Sequence, residues 1–486
     1  MNWIDNIASF ISPQWGYKRE SYRQELDSIR NYDSGARDRN NINWNVQNQS
    51  AEFTDRFDRD TIRSRGRDLE RNSDMASSVI KAFKRNIIGG GYTLQARTEN
   101  TETNEALEEL WKEWCKKENC DVTGIQSFNQ MLRMAVARKK VDGGILFIKR
   151  YTDDGIMPFK LQAIEVDELA QDAITDNNNR VVGGIKYNEY NKPLGYYIKQ
   201  YSIDGLSINT PKYIPAKDVI FIYSKKRPSQ IREISDLAPT IPRIRDVNEF
   251  MVAVSVKERI AACLAVFIKK LNPNGTGVSS GRNGNTTKEK KYDGKTLIPG
   301  MIRELNIGEE AQMINPSGQA TDAASFVKLQ QHLISSGQGI SYEATSRDMS
   351  EVNYSSARQG NIEDDLEYTE DNELFAEFMS EVYETFVTCA YLSKLVNFPN
   401  FVNRKKEYLK HEWVKAPKRW IDPVKEANAN KIAMETGQKT FKDIAAENGR
   451  DYKEVIDEMV EIIEYGKEKG IDLGGIIFGK RQNEAK

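Results

Sequence analysis

The chain has 486 residues, 39% of them hydrophobic and 29% charged, with a formal net charge of −2. Length alone is about three domains' worth of sequence, and the lean apolar share predicts an elongated shape or a protein that covers surface with copies of itself. The near-zero charge excludes a global basic field, the longest apolar run, from Ile260 to Ile268, is too short for a membrane span, and the start Met1-Asn2-Trp3-Ile4-Asp5 lacks the pattern of a secretory signal.

Residues up to about 71 are polar, with Arg63, Arg65, Arg67 and Arg71 alternating with Asp68 and Glu70, and read as an extended arm. A helix follows over about 73–88, with Met75, Val79, Ala82 and Phe83 on one stripe, and stops at Gly89-Gly90-Gly91. A strand is predicted at 92–95, helices at 103–117 and 128–141, and strands at 145–148, 159–163, 184–187, 194–199 and 219–223, so the first half is α+β. Cys115 and Cys120 have no histidine or second cysteine pair nearby to complete a zinc site, and reduced thiols are expected.

A long helix is predicted over about 237–270, broken early by Pro239 and Pro242. A Gly/Ser/Asn-rich loop then leads to Lys288, Lys290, Lys291 and Lys295, with short strands near 297–298 and 311–314. Another helix spans about 321–338. After it comes the polar segment Asn353-Tyr354-Ser355-Ser356-Ala357-Arg358, read as a loop before a helix over about 361–395. A helix N-terminus capped by Ser355 or Ser356 is the plainer alternative. The second helix opens on Glu363, Asp364, Asp365 and Glu367, and no Lys or Arg occurs between Arg358 and Lys394. Three short helices follow, opening near Pro423, Thr440 and Asp451.

Chemistry built on histidine is poorly supplied, since only His332 and His411 exist, and no phosphate-binding G-x-x-x-x-G-K-[ST] loop occurs. Asp364, Asp365 and Glu367 could be imagined as a metal cluster, but neighbouring helical residues do not face one another, and a solvated acidic face is the stronger expectation. The lysines at 288–295 read either as a solvated loop tip or as a contact surface on a protruding lobe.

Several stretches together resemble the lambda family of tailed-phage portal proteins. In order they are Arg71-Asn72-Ser73, Asn86-Ile87-Ile88-Gly89, Asp142-Gly143-Gly144-Ile145-Leu146-Phe147, Leu161-Gln162-Ala163-Ile164, Gly183-Gly184-Ile185 and Pro193-Leu194-Gly195-Tyr196. Ile214-Pro215-Ala216, Gln230-Ile231-Arg232, Leu237-Ala238-Pro239, Leu297-Ile298-Pro299-Gly300, Asn353 to Arg358 and Trp420-Ile421-Asp422-Pro423 continue the series. Two positions depart from the family pattern: Glu233 stands where glycine is usual, and Phe221 where histidine is common.

The resemblance implies a ring, usually of twelve copies, at one capsid vertex, through which double-stranded DNA is packaged and ejected. The implied parts are an N-terminal arm and α/β wing (1–236), a two-helix stem (237–270 and 321–340), a small α/β clip (271–320), a tunnel loop (341–357), a long wing helix and return (358–416) and a helical crown (417–486). Implied partners are the terminase large subunit, head–tail connector proteins, and the major capsid and scaffold proteins, in a virion assembled in the host cytoplasm. No cofactor, metal, membrane or enzymatic activity is implied.

On this reading Arg347, Asn353, Tyr354, Ser355, Ser356 and Arg358 lie by the channel, with Arg358 paired to Glu363 or to a neighbouring subunit. Lys288, Lys290, Lys291 and Lys295 dock a partner. The alternatives are a metal-dependent nucleic-acid enzyme and another virion structural subunit.

Overall fold

The computed structural model describes residues 10, 12–15, 17–19, 21–22, 48–170, 180–205, 210–263, 323–417 and 423–471, with the side chains of 260–263 and 354 excepted. The clip lysines Lys288, Lys290, Lys291 and Lys295, and the short strands expected beside them, lie outside the described residues. Residues 1–54 form one compact unit and 55–486 another. In the first unit the described residues include short helical pieces between Phe10 and Tyr22.

The second unit mixes helices with antiparallel sheets. Its first half contains α1 (Arg59–Asn72), α2 (Asp74–Ile87), β1 (Tyr92–Ala96), α3 (Thr101–Trp114), α4 (Lys117–Cys120), α5 (Phe128–Asp142), β2 (Gly144–Tyr151) and β3 (Phe159–Ile164). There follow β4 (Val181–Val182), β5 (Ile185–Tyr187), β6 (Pro193–Ile198), β7 (Lys212–Pro215) and β8 (Val219–Tyr223). The second half has α6 (Ile241–Cys263), α7 (Ala323–Gly337), α8 (Tyr342–Ser346), α9 (Tyr354–Leu392), α10 (Phe401–Tyr408), β9 (His411–Lys415), α11 (Pro423–Glu435), α12 (Phe441–Glu447) and α13 (Tyr452–Glu468).

Strand order is β3-β2-β8 in one sheet and β4-β5-β6-β7 in another, while β1 pairs with β9, Ala96 opposite His411. The main core is aromatic: Trp111 and Trp114 of α3, Phe128 of α5, Phe147 and Phe159 of the first sheet, and Phe378, Tyr383 and Phe386 from the C-terminal half of α9. A second core of Leu146, Ile148, Ile164, Ile185, Tyr196, Ile198 and Val219 joins the two larger sheets. Local signals explain several boundaries. Gly89, at φ +52°, ends α2 as expected of a C-cap glycine. Thr440 and Asp443 form the capping box that starts α12. Cys115, Cys120 and Cys389 are free thiols, and burial pushes Cys120 up to about 12.

One expectation fails outright. The stretch ending at Arg71 is no extended arm from residue 59 onward but helix α1, with Arg59 and Arg63 buried at 2% and 4% exposure. Arg63 Nη2 meets Glu233 Oε1 at 2.7 Å, Arg59 Nε donates to the Glu233 carbonyl at 3.0 Å, and Arg232 Nε meets Glu233 Oε2 at 2.7 Å. Burial opposes ionisation of Glu233, but Arg232 and then Arg63 outweigh it and hold its carboxyl below the usual range. The departure at Glu233 is therefore the centre of an arginine cluster. Phe221 sits on β8 with its ring 4.5 Å from Tyr223.

Candidate functional site

The segment between α7 and α9 is held from three sides. Gln338 Nε2 donates to the Asp236 carbonyl at 3.1 Å and to Thr240 Oγ1 at 3.0 Å, which ties the end of α7 to the start of α6. Ser341 caps α8 by accepting from the Ala344 N–H at 3.2 Å. Its own N–H and hydroxyl donate to the Asp364 carboxylate of α9 at 2.6 and 2.7 Å. Ser335 and Thr345 share a hydroxyl–hydroxyl bond of 2.7 Å, and Ser78 of α2 donates to the Thr345 carbonyl. His332 of α7 stacks on Tyr342 with ring centroids 4.2 Å apart.

Arg347 ends α8 in the left-handed conformation, at φ 59° and ψ 20°, its N–H donating to the Glu343 carbonyl at 2.9 Å. Lys328 of α7 meets Glu351 of the following turn at 2.5 Å. Asn353 then caps α9: its Oδ1 accepts from the Ser356 N–H at 2.9 Å and from the Ser356 hydroxyl at 2.8 Å. The helix therefore begins at Tyr354, about seven residues before the expected start. Residues 354–358 are its first turns and not a loop, and the cap is Asn353 in place of either serine. Ser355, Ser356 and Arg358 are exposed there. Glu363 accepts from Gln359 at 2.8 Å, and Arg358 makes no ion pair among the described residues.

The acidic run on α9 is of two kinds. Glu363, Asp365 and Glu367 are exposed, as a solvated face would be. Asp364 and Asp371 are buried, at 5% and 4% exposure. Asp371 meets Lys139 at 2.6 Å and Lys140 at 3.3 Å, both at the end of α5. Asp236, just before α6, meets the same lysines at 2.9 and 3.4 Å and Lys226 at 3.0 Å. Burial works against the Asp236 carboxylate, but Lys139, Lys140 and Lys226 prevail and hold it at about 2. Farther along, Glu381 pairs with Lys149 at 2.8 Å and Glu384 with Lys405 at 2.8 Å. Among the described residues no group of three His, Cys, Asp or Glu side chains could hold a metal ion.

The structure thus brings Arg347, Asn353, Ser356, Asp364 and Asp365 to one corner, where α2, α8 and α9 meet around a cavity of about 180 Å³. Arg85 and Ser341 join them without having stood out in the sequence, while Gln338 and the Lys139–Lys140–Asp236–Asp371 cluster line a separate cavity. The one signal for the cluster is a Lys-Lys pair at positions 139–140, at the end of an otherwise buried helix.

A family described as phage portal protein, lambda family, matches residues 37–371. The probable portal protein of Halomonas phage phiHAP-1 is 26% identical, over 92% of this chain and 89% of that protein. Portal protein B of Escherichia phage lambda is 20% identical, over 86% of each. A solved chain from the neck of an empty GTA particle aligns at 12% identity over 79% of this chain and 93% of that one, and its TM-score of 0.41 is too low to bear on the fold. With the family matched from residue 37 to 371, across the arginine cluster, α6, α7 and the start of α9, this chain belongs to the lambda family of phage portal proteins.

Proposed function

We propose that copies of this chain close into a ring at one capsid vertex, and that duplex DNA enters and leaves the head through its channel. The match to the portal family over most of the chain carries this reading. In it, residues 1–236 are arm and wing, α6 and α7 belong to the stem, 271–320 is the clip, 341–357 is the tunnel loop, 358–416 is the wing helix with its return, and 417–486 is the crown. The clip lysines 288, 290, 291 and 295 dock an acidic surface of the terminase motor and later of connector proteins. Capsid and scaffold proteins contact the outer parts. ATP hydrolysis belongs to the motor.

The physics favours a channel wall that holds DNA weakly. Each Lys or Arg contact with duplex DNA releases counterions and adds affinity, which a translocating strand must then break. The turn at 347–352 offers one arginine, the carboxylates of Asp348 and Glu351 and the hydroxyl of Ser350, backed by the exposed Glu363 and Asp365. Such a surface touches the backbone transiently and resists slippage.

Negative-stain microscopy of the purified protein tests the ring, which appears as particles with a central hole; shells or tubes would overturn the reading. Removing residues 348–352 tests the loop while sparing the Asn353 cap, and it gives up only the exposed Lys328–Glu351 ion pair of the stem. Rings should persist while packaging or DNA retention fails, and normal packaging by that deletion would discard the loop's role.

A further inference from the structure

Arg85 of α2 and Arg347 after α8 line the same cavity of about 180 Å³, although they lie far apart in the chain. Neither guanidinium has an ion pair among the described residues, and Arg85 donates to the Ala344 carbonyl at 3.3 Å. Three carboxylates share the wall, those of Glu343, Asp364 and Asp365. Asp364 is taken up by the two donors of Ser341. Burial lowers Arg85 first and the charge of Arg347 lowers it further, against a smaller opposing effect of Tyr368. Two exposed guanidiniums therefore line one small polar cavity without a direct ion pair to the carboxylates that share its wall. The left-handed backbone of Arg347, fixed by its bond to the Glu343 carbonyl, holds that arrangement in place.

We propose that Arg85 and Arg347 together bind one phosphate group. Planar guanidiniums present paired N–H donors that match the oxygens of a phosphate, and one dianionic or diester group between them removes their mutual repulsion. The phosphate is either a backbone phosphate of duplex DNA or free inorganic phosphate. The DNA source rests on the portal reading above, and the site itself does not. Asn86 and Asn361 line the same wall and add neutral polar groups.

The test uses the full-length protein and the variants Arg85→Gln, Arg347→Gln and their double. Inorganic phosphate binding is measured by calorimetry, and binding of a random-sequence duplex is measured between about 50 and 200 mM salt. Each single variant should weaken binding about tenfold, and the double should do no worse than either single, because one phosphate is shared. On DNA the slope of log K against log salt should shrink by about 0.9 in either single and no further in the double. Loss on DNA alone assigns a backbone phosphate, loss on inorganic phosphate alone assigns the free ion, and loss on both leaves the site open to either. Arg347→Lys keeps the charge and should recover part of the affinity. Wild-type binding of both ligands by all variants, or losses that add, would overturn the site. Ring formation is read separately by microscopy. Intact rings with unchanged binding remove only the phosphate site, whereas a wild-type protein that never forms rings removes the portal reading.

Discussion

Ser341 gives both its N–H and its hydroxyl to one carboxylate, that of Asp364, so a single buried side chain fixes α8 to α9. Replacing Asp364 with Ala leaves both donors unmet. Unmet buried donors cost about 1–3 kcal/mol each, and hydrogen bonds to a charged acceptor stand at the upper end. Thermal unfolding of Asp364→Ala should shift down clearly, and Asp364→Asn should fall less, since its amide oxygen still accepts.

The cap on α9 makes a local prediction. Asn353→Ala should cost about 1 kcal/mol, concentrated in the first turn, while Ser356→Ala, which keeps its N–H, should cost less. Hydrogen exchange should quicken over 354–358 in the first variant, with no change near Phe378 and Phe386.

Glu233→Gly installs the residue usual in the family, but here it removes the buried carboxylate that Arg63 and Arg232 share, while Arg63 keeps its contacts to Asp60 and Asp167. Breaking a buried pair by removing one partner costs about 3–5 kcal/mol. Denaturant titration should show that loss, and Arg63→Leu added to Glu233→Gly should recover part of it.

Acid should weaken the protein through Asp236. Its carboxyl is held at about 2 against an ordinary 3.8, so its contribution is present above about 4 and is lost as pH falls toward 2. The sign follows from a folded value below the unfolded one, and the size is about 2 kcal/mol. Urea unfolding at pH 5, 3 and 2 checks this, and Asp236→Asn should flatten that part of the profile.

Gly143 ends α5 at φ +92°, and a Cβ there would stand 2.4 Å from the carbonyl carbon of Ile234. Any side chain must displace that backbone as well as adopt a conformation that L-residues rarely take. Gly143→Ala should therefore lower the unfolding temperature more than Gly124→Ala, where nothing lies within 4 Å of the added atom.

Elements with strong periodicity are legible in the amino-acid sequence: α2, α5, β2, β3, β8 and the three C-terminal helices lie within a few residues of their expected positions. Helix α1 is not, because its buried face is Arg59, Arg63, Gly66 and Leu69, and a face with a single large apolar residue gives no apolar stripe. Its carboxylate partners Glu233, Asp142 and Asp167 are distant in sequence, so only the fold shows which carboxylates meet the arginines. Strand β9 escapes for a related reason: its partner β1 lies at the other end of the unit. At the candidate site, the acidic run is visible in the sequence, but its division into buried and exposed members is not. Asp364 and Asp371 are seven positions apart and so share one helix face, and only packing against Ser341, Lys139 and Lys140 shows which face turns inward.

The β1–β9 ladder has a consequence for synthesis. Ala96 cannot meet His411 until roughly 300 further residues have left the ribosome, and contacts of such separation form late because a long loop must close first. Until then Tyr92 to Ala96 presents an open edge, and Leu94 and Ala96, both buried in the finished fold, lack their cover. A nascent chain arrested before residue 411 should therefore be recognised by chaperones and cut by proteases near that strand, and release past residue 415 should end both.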